Sequence, residues 1–350
     1  MKSHKHLFSQ IVSFSNLLDA SHKAARGKRE RPNVILFFHG LEDNLWKLSQ
    51  DLSDRTYRPG GYATFSIYRP KPRMISAAPF RDRVVHHALI NVIGPLLERS
   101  FIHDSYANRV GKGTHRAIRR FQWFLRRHRY VLMCDIRKYF PSIDHQILRR
   151  RLRQRIADAG TLWLIDRIID GSNDQEFVCD YFPGDNLLTP VSRRRGLPIG
   201  NLTSQFFANF YLSPLDHFAK EGLGCKAYLR YVDDFALFAD SKRQLHEWRT
   251  DLSRVLESYR LKLHPRRVQI SPCHAPNRFL GQIVCQSHRR LTGENVRRFR
   301  KRLHSWARRP PANLRARVAS WIGHAQQADT RALLESLRSP LSEKLGLRGP

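Results

Sequence analysis

The chain has 350 residues, 41% of them hydrophobic, which suffices for one large domain or two to three small ones with a real core. Its 62 lysines and arginines outnumber 30 acidic residues, and the net charge of +32 calls for a polyanionic partner, nucleic acid foremost, rather than a small acidic metabolite. Membrane-surface binding fits less well, because the basic residues run the whole length and neither a myristoylation start nor a prenylation end is present.

Apolar positions Leu7, Ile11, Phe14, Leu17 and Leu18 predict a helix over 7–26, followed by the basic turn 26-RGKRERP-32. The Pro- and Gly-rich alternation of 57–80 predicts a hairpin with basic edges, and Val85, Leu89, Val92, Ile93, Leu96 and Leu97 predict a core-facing helix over 82–101. His86 and His87 on that helix are read as surface or satisfied core residues rather than ligands, since no third ligand has suitable spacing. A strand, 130-YVLMCDI-136, precedes 141–156, where a basic helix starts behind a Pro-Ser-x-Asp entry, and the polar stretch 171–195 is expected to form a hairpin or loops. A helix over 202–221 leads into 227-AYLRYVDDFALFAD-240, which reads as strand, tight turn and strand with Asp233 and Asp234 at the tip. Another helix follows over 242–260. Between 289 and 317 lie eleven Lys or Arg residues and one acid, Glu294, over two helices broken by 310-PP-311; so one-signed a run suggests contact with phosphates. Mixed helices and antiparallel strands give an α+β class.

Five scattered cysteines with no Cys-x-x-Cys pair suggest reduced packing residues, and the apolar run 34-VILFF-38 is too short and too late for a secretory signal. A cytoplasmic location is expected, with an organelle transit peptide as the lesser alternative.

Asp is a common turn residue, so the tip alone has a bland explanation. Adjacent carboxylates repel, however, unless a cation lies between them. Asp135 supplies a third carboxylate in an apolar strand, where a charge costs several kcal/mol unless paired or metal-bound. Magnesium prefers such oxygen ligands, and three carboxylates on neighbouring strands are expected to hold two ions ~4 Å apart.

The order and wording of 132-LMCDIRKYFPSID-144, 196-GLPIGNLTSQFFANFYLSPLD-216, 231-YVDD-234, 261-LKLHPRR-267 and 279-FLG-281 resemble the palm motifs of reverse transcriptases. The upstream 68-YRPKPRMISAAPFRDRVVHHAL-89 and 104-DSYANRVGKGTHRA-117 resemble the fingers motifs of the bacterial, group II intron-like branch. Within it, Ile199-Gly200-Asn201 with Ser204-Gln205, where most relatives have Gln-Gly and Ser-Pro, is similar to the reverse transcriptases of diversity-generating retroelements.

The resemblance implies a right-hand polymerase fold, with an N-terminal extension and fingers over 1–128, a palm over 129–285 carrying a fingers insertion at about 150–200, and a basic helical thumb over 286–350. It implies Asp135, Asp233 and Asp234 as catalytic metal ligands with the Ile136 backbone, and two Mg2+ ions, replaceable by Mn2+. Lys71 and Arg73 would meet the triphosphate, Phe140 would exclude a 2′-hydroxyl, and Ile199, Gly200 and Asn201 would line the nascent base pair. Phe279, Leu280 and Gly281 would form the primer grip, and Arg297, Arg298 and Arg300, with Trp306 and Trp321 on the same helices, would hold the RNA–DNA duplex. Implied partners are template RNA, deoxynucleoside triphosphates and a small basic accessory protein, with no membrane. The implied activity is RNA-directed DNA synthesis, error-prone at template adenines. The alternatives are a retron-like or phage-defence reverse transcriptase, or a nucleic-acid-binding module that has lost catalysis. Relatives often place a Lys after the stretch matching 261–265 as proton donor to pyrophosphate; Arg266 and Arg267 stand there instead, and arginine hardly deprotonates. Lys262 and His264 are the nearby alternatives.

Overall fold

The computed structural model describes residues 4–68 and 72–337. Its helices are α1 (Phe8–Val12), α2 (Phe14–Ala25), α3 (Pro32–His39), α4 (Leu41–Ser53), α5 (Phe80–Glu98), α6 (Thr114–Leu125), α7 (Tyr139–Ser142), α8 (His145–Arg153), α9 (Ala159–Asp170), α10 (Thr189–Ser192), α11 (Leu202–His217), α12 (Lys242–Ser258), α13 (Gly293–Arg308), α14 (Leu314–Ala325) and α15 (Arg331–Ser336). Its strands are β1 (Ala63–Ile67), β2 (Arg73–Ala77), β3 (Tyr130–Asp135), β4 (Tyr228–Tyr231), β5 (Asp234–Ala239), β6 (Gln269–Pro272), β7 (Asn277–Phe279), β8 (Gln282–Val284) and β9 (Arg289–Leu291).

The alternating apolar strands meet in one four-stranded antiparallel sheet of order β4-β5-β3-β6. Alternation gives the sheet two buried faces. Leu132, Cys134, Phe235 and Leu237 face the larger core, shared with residues of α5, α11 and α12. Val131, Ala236 and Phe238 face a second core built with α6 and the β7–β8 hairpin. The α+β class is therefore as expected.

Helix boundaries depart from the periodicity where a side chain caps the backbone. The helix expected over 7–26 is two, because Ser13 is extended (ψ 140°) and its hydroxyl accepts from Asn16 N at 3.4 Å. The basic helix α8 starts behind its Pro-Ser-x-Asp entry as expected, with Asp144 accepting from Ile147 N at 2.9 Å. The expected helix over 202–221 passes into a π-helical turn at Phe218–Gly222. The stretch 171–195 is irregular apart from α10, and ion pairs of Asp180 with Arg137 and of Glu176 with Lys138, both 2.7 Å, bind it to the segment after β3.

The β1–β2 ribbon lies against the start of the α11 segment, where Ser76 N donates to Ile199 O at 2.9 Å. At the other end, α13 and α14 are separated around Pro310–Pro311 as expected and share a small core in which Phe299 stacks on Trp321 at 3.6 Å. Among the described residues no helix is long and apolar enough to cross a membrane.

Candidate active site

Antiparallel pairing of β3 with β5 sets Asp135 directly opposite Asp234. Asp233 precedes it in the β4–β5 turn, so three carboxyl-bearing residues lie at one end of the sheet. The turn is strained: Val232, a β-branched residue, has φ +58°, a left-handed conformation that costs of order 1–3 kcal/mol and persists only where the surroundings enforce it.

What enforces it is a buried arginine. Arg230 Nη1 donates to Val232 O at 2.9 Å. The same guanidinium contacts Asp216 twice at 2.7 Å, through Nε and Nη2, and reaches Asn209 Oδ1 at 3.1 Å. Burial opposes the charge on Arg230, but Asp216 outweighs it and raises the arginine pKa, so the cation persists in the core. Tyr228 also donates to Asp216, at 2.7 Å. Neither Arg230, Asp216 nor Asn209 was anticipated from the sequence. The available signal was a charged residue in the apolar alternation Tyr228-Leu229-Arg230-Tyr231.

Asp135 is partly buried, its side chain 13% exposed, and its Oδ2 accepts from Arg267 Nη1 at 2.8 Å. The chain beyond it runs beside residues 262–264: His264 N donates to Asp135 O, Ile136 bridges Leu263, and Arg137 N donates to Lys262 O. This docking brings Arg267 onto the carboxylate, a pairing that spacing in sequence could not reveal.

A cleft of about 760 Å3 opens over these groups. Arg73, Asp135, Ile136 and Phe140 line it, together with Ile199, Asp233, Asp234 and Leu280. Arg137, Lys138, His264 and Arg267 add positive charge to its wall, while Gln175 and Glu176 come from the irregular stretch. A cleft with carboxylates on its floor and cations around them suits a triphosphate and a hydroxyl nucleophile.

Other predicted residues lie behind the wall. Gly200 has φ +120°, and a Cβ there would meet Ile75 Cγ2 at 3.1 Å and Ser76 O at 3.3 Å, so glycine permits the close approach to β2. Asn201 is buried and donates to Ser76 O at 3.0 Å. Phe279 is buried and stacks on Phe121 at 4.4 Å, while Leu280 and Gly281 make a turn with φ +45° and +82°. Arg297, Arg298 and Arg300 are on α13, away from that lining; Arg297 and Arg300 are exposed, and Arg298 pairs with Glu294. Of the two alternative proton donors, His264 lines the cleft, whereas Lys262 stands 3.6 Å from Asp180. Lys71 falls outside the described residues.

Among the described residues no three His, Cys, Asp or Glu side chains are drawn together closely enough to hold a metal ion. The donor set nevertheless fits a hard cation: the site offers carboxylate oxygens, and Arg267 already places positive charge on Asp135.

A family model described as reverse transcriptase (RNA-dependent DNA polymerase) matches residues 66–284. The chain is similar to Protein YkfC of Escherichia coli K12, 26% identical over 266 residues, covering 64% of this chain and 67% of that protein. It is also similar to the putative COX1/OXI3 intron 1 protein of Saccharomyces cerevisiae, 22% identical over 231 residues (64% of this chain, 25% of that one). The group II intron-encoded protein LtrA of Lactococcus lactis is 25% identical over 180 residues, 51% of this chain. The match spans about two thirds of YkfC and only 25% and 28% of the two intron proteins.

Proposed function

The chain belongs to the reverse transcriptase (RNA-dependent DNA polymerase) family and has its right-hand polymerase fold, and from that premise we propose that it copies RNA into DNA by metal-dependent nucleotidyl transfer. The observation that carries the proposal is the register Asp135 opposite Asp234, with Asp233 adjacent, on the floor of a cation-walled cleft.

Asp135, Asp233, Asp234 and the Ile136 backbone would hold two Mg2+ ions, or Mn2+ in their place. When bound, the metal makes the primer 3′-hydroxyl a better nucleophile and neutralises charge on the leaving pyrophosphate. The chain's own groups do the positioning. Arg230 fixes the turn that aims Asp233 and Asp234. Arg73 would meet the triphosphate from the β1–β2 side, Lys71, two residues earlier in sequence, is proposed to share that role, and Arg267 would move between Asp135 and the phosphates. Phe140 would pack beneath the sugar and exclude a 2′-hydroxyl. Ile199 would face the nascent base pair, with Gly200 and Asn201 acting from behind by docking its backbone on β2. Phe279 anchors the turn from which Leu280 and Gly281 would hold the primer.

The boundaries of fingers (1–128), palm (129–285) and thumb (286–350), and the duplex contacts of Arg297, Arg298 and Arg300, belong to the same proposal. So does the narrower role in a diversity-generating retroelement, with a template-repeat RNA and a small basic accessory protein. Support for it comes from the wording Ile199-Gly200-Asn201 with Ser204-Gln205, and from the apolar Ile199 side chain at the cleft, where base selection would rest on shape more than on polar contacts. Primer extension on an RNA template of known sequence tests the activity: DNA product with deoxynucleotides is expected, and its absence with the native RNA and accessory protein present contradicts it.

A further inference from the structure

On α6, Arg116, Arg119 and Trp123 follow one another at three- and four-residue spacing, and Arg126 and Arg127 continue the basic run just past the end of the helix, all of them exposed. The helix packs its other side, Ile118, Phe121, Phe124 and Leu125, on the sheet. Arg116, Arg119 and Trp123 thus share an outward ridge about 10 Å long along the helix axis, which Arg126 and Arg127 extend past its C-terminus.

On α8, by contrast, two arginines are covered by acids of α9, Arg149 by Asp166 at 3.0 Å and Asp170 at 2.6 Å, and Arg153 by Asp166 at 2.5 Å. Among the described residues, Arg116, Arg119, Arg126 and Arg127 pair with no carboxylate. Two of them, Arg126 and Arg127, are instead held by aromatic and backbone groups. Arg127 stacks on Trp123 at 3.7 Å from the ring centroid and donates to Trp123 O, and Arg126 donates to Gln286 O at 2.6 Å. Arg120, itself paired with Asp104, covers Trp123 at 4.4 Å. A guanidinium ordered in advance loses less freedom on meeting a phosphate.

The ends of the ridge matter. At its start, Thr114 donates to the Tyr231 hydroxyl at 2.9 Å, next to the Asp233-Asp234 turn. There too His115 lies 6.1 Å from His324 of α14, between ring centroids, so the ridge abuts the basic C-terminal helices. At its far end it reaches the turn before β3, opposite the catalytic end of that strand.

We propose that the outer face of α6 is a binding track for unpaired RNA, carrying the template strand between the catalytic cleft and the far edge of the sheet. Arginine without lysine suits this occupant: forked donors grip successive phosphates, and a guanidinium plane accepts an unstacked base. The identity of the strand rests on the reverse-transcription reading; the existence of the track does not.

The test is equilibrium binding of a labelled single-stranded RNA, and of DNA of the same sequence, over a salt series. Arg116→Gln/Arg119→Gln/Arg127→Gln is compared with the wild type, both with unchanged thermal unfolding. The triple variant is expected to bind RNA roughly tenfold or more weakly at low salt and to lower the slope of log K against log salt by about 2, as three lost single-strand phosphate contacts require. Its extension of a short primer–template that fills only the cleft is expected to equal the wild type's. Unchanged affinity and slope would overturn the track, and equal losses for RNA and DNA would overturn its assignment to RNA. Failure of the wild type to extend the short hybrid would instead count against the polymerase reading, leaving the binding result to stand alone.

Discussion

The guanidinium of Arg230 grips the carboxylate of Asp216 through two 2.7 Å contacts, and both side chains are fully buried. The pair lies beneath the strained Val232 and holds its carbonyl, so it connects the core of the sheet to the geometry of the Asp233-Asp234 turn.

Removing one partner of a buried ion pair strands the other, at a cost of about 3–5 kcal/mol. Arg230→Met is therefore expected to lower stability by that amount in denaturant unfolding. Arg230→Met/Asp216→Leu should recover much of the stability, since no charge is then left unpaired, but not the polymerase activity, because Val232 O still lacks its donor. Wild-type turnover by the stable double variant would show that the arginine does not position the turn.

Arg267 and a metal ion would compete for the same oxygen of Asp135. Arg267→Gln is expected to lower the Mg2+ concentration for half-maximal extension severalfold and to raise the KM for deoxynucleotides, because a phosphate partner is lost with it. A Mg2+ titration reads the first effect and a nucleotide titration the second. An unchanged Mg2+ requirement would mean that the ion pair dissolves without cost.

His86 offers a pH signature. It is buried on α5, with Nδ1 unpartnered among the described residues, and burial, with help from His87 and Arg83, depresses its pKa to about 3. The unfolded chain takes up a proton near pH 6.5 while the folded chain does not. Stability from this group is therefore full above pH ~6.5 and declines as pH falls from there toward about 3. Unfolding midpoints measured from pH 7 to pH 4 should drop less for His86→Gln than for the wild type; parallel curves would exclude His86 as the cause.

At the nascent base pair, Ile199→Gln restores a polar side chain at the cleft wall. If the proposed error-prone copying holds, sequenced cDNA from the variant is expected to show fewer errors opposite template adenines than that from the wild type, with errors at other bases little altered. An unchanged spectrum would remove Ile199 from the account of fidelity.

The main elements of the site were legible because they depend on alternation, and alternation is local. Asp135, Asp233 and Asp234 interrupt apolar strands, and the structure puts them on one cleft with Arg73, Phe140 and Ile199. Less legible was anything fixed by a long-range contact. Asn201 and Phe279 carry the right wording but act as buried supports, since their partners, Ser76 and Phe121, lie over a hundred residues away. Arg267 meets Asp135 only because 262–264 docks beside the end of β3. Capping at Ser13 likewise divided a helix whose apolar spacing ran on without a break, whereas the Asp144 cap was legible in its Pro-Ser-x-Asp entry.

The most direct measurement is primer extension on an RNA template by the wild type, Asp135→Asn and Asp233→Asn, with Mg2+ present and withheld. We predict DNA product that requires Mg2+ and falls roughly 100-fold or more in either variant while both remain folded. Synthesis at the wild-type rate by Asp233→Asn, or product independent of divalent metal, would contradict a polymerase centre built on these carboxylates.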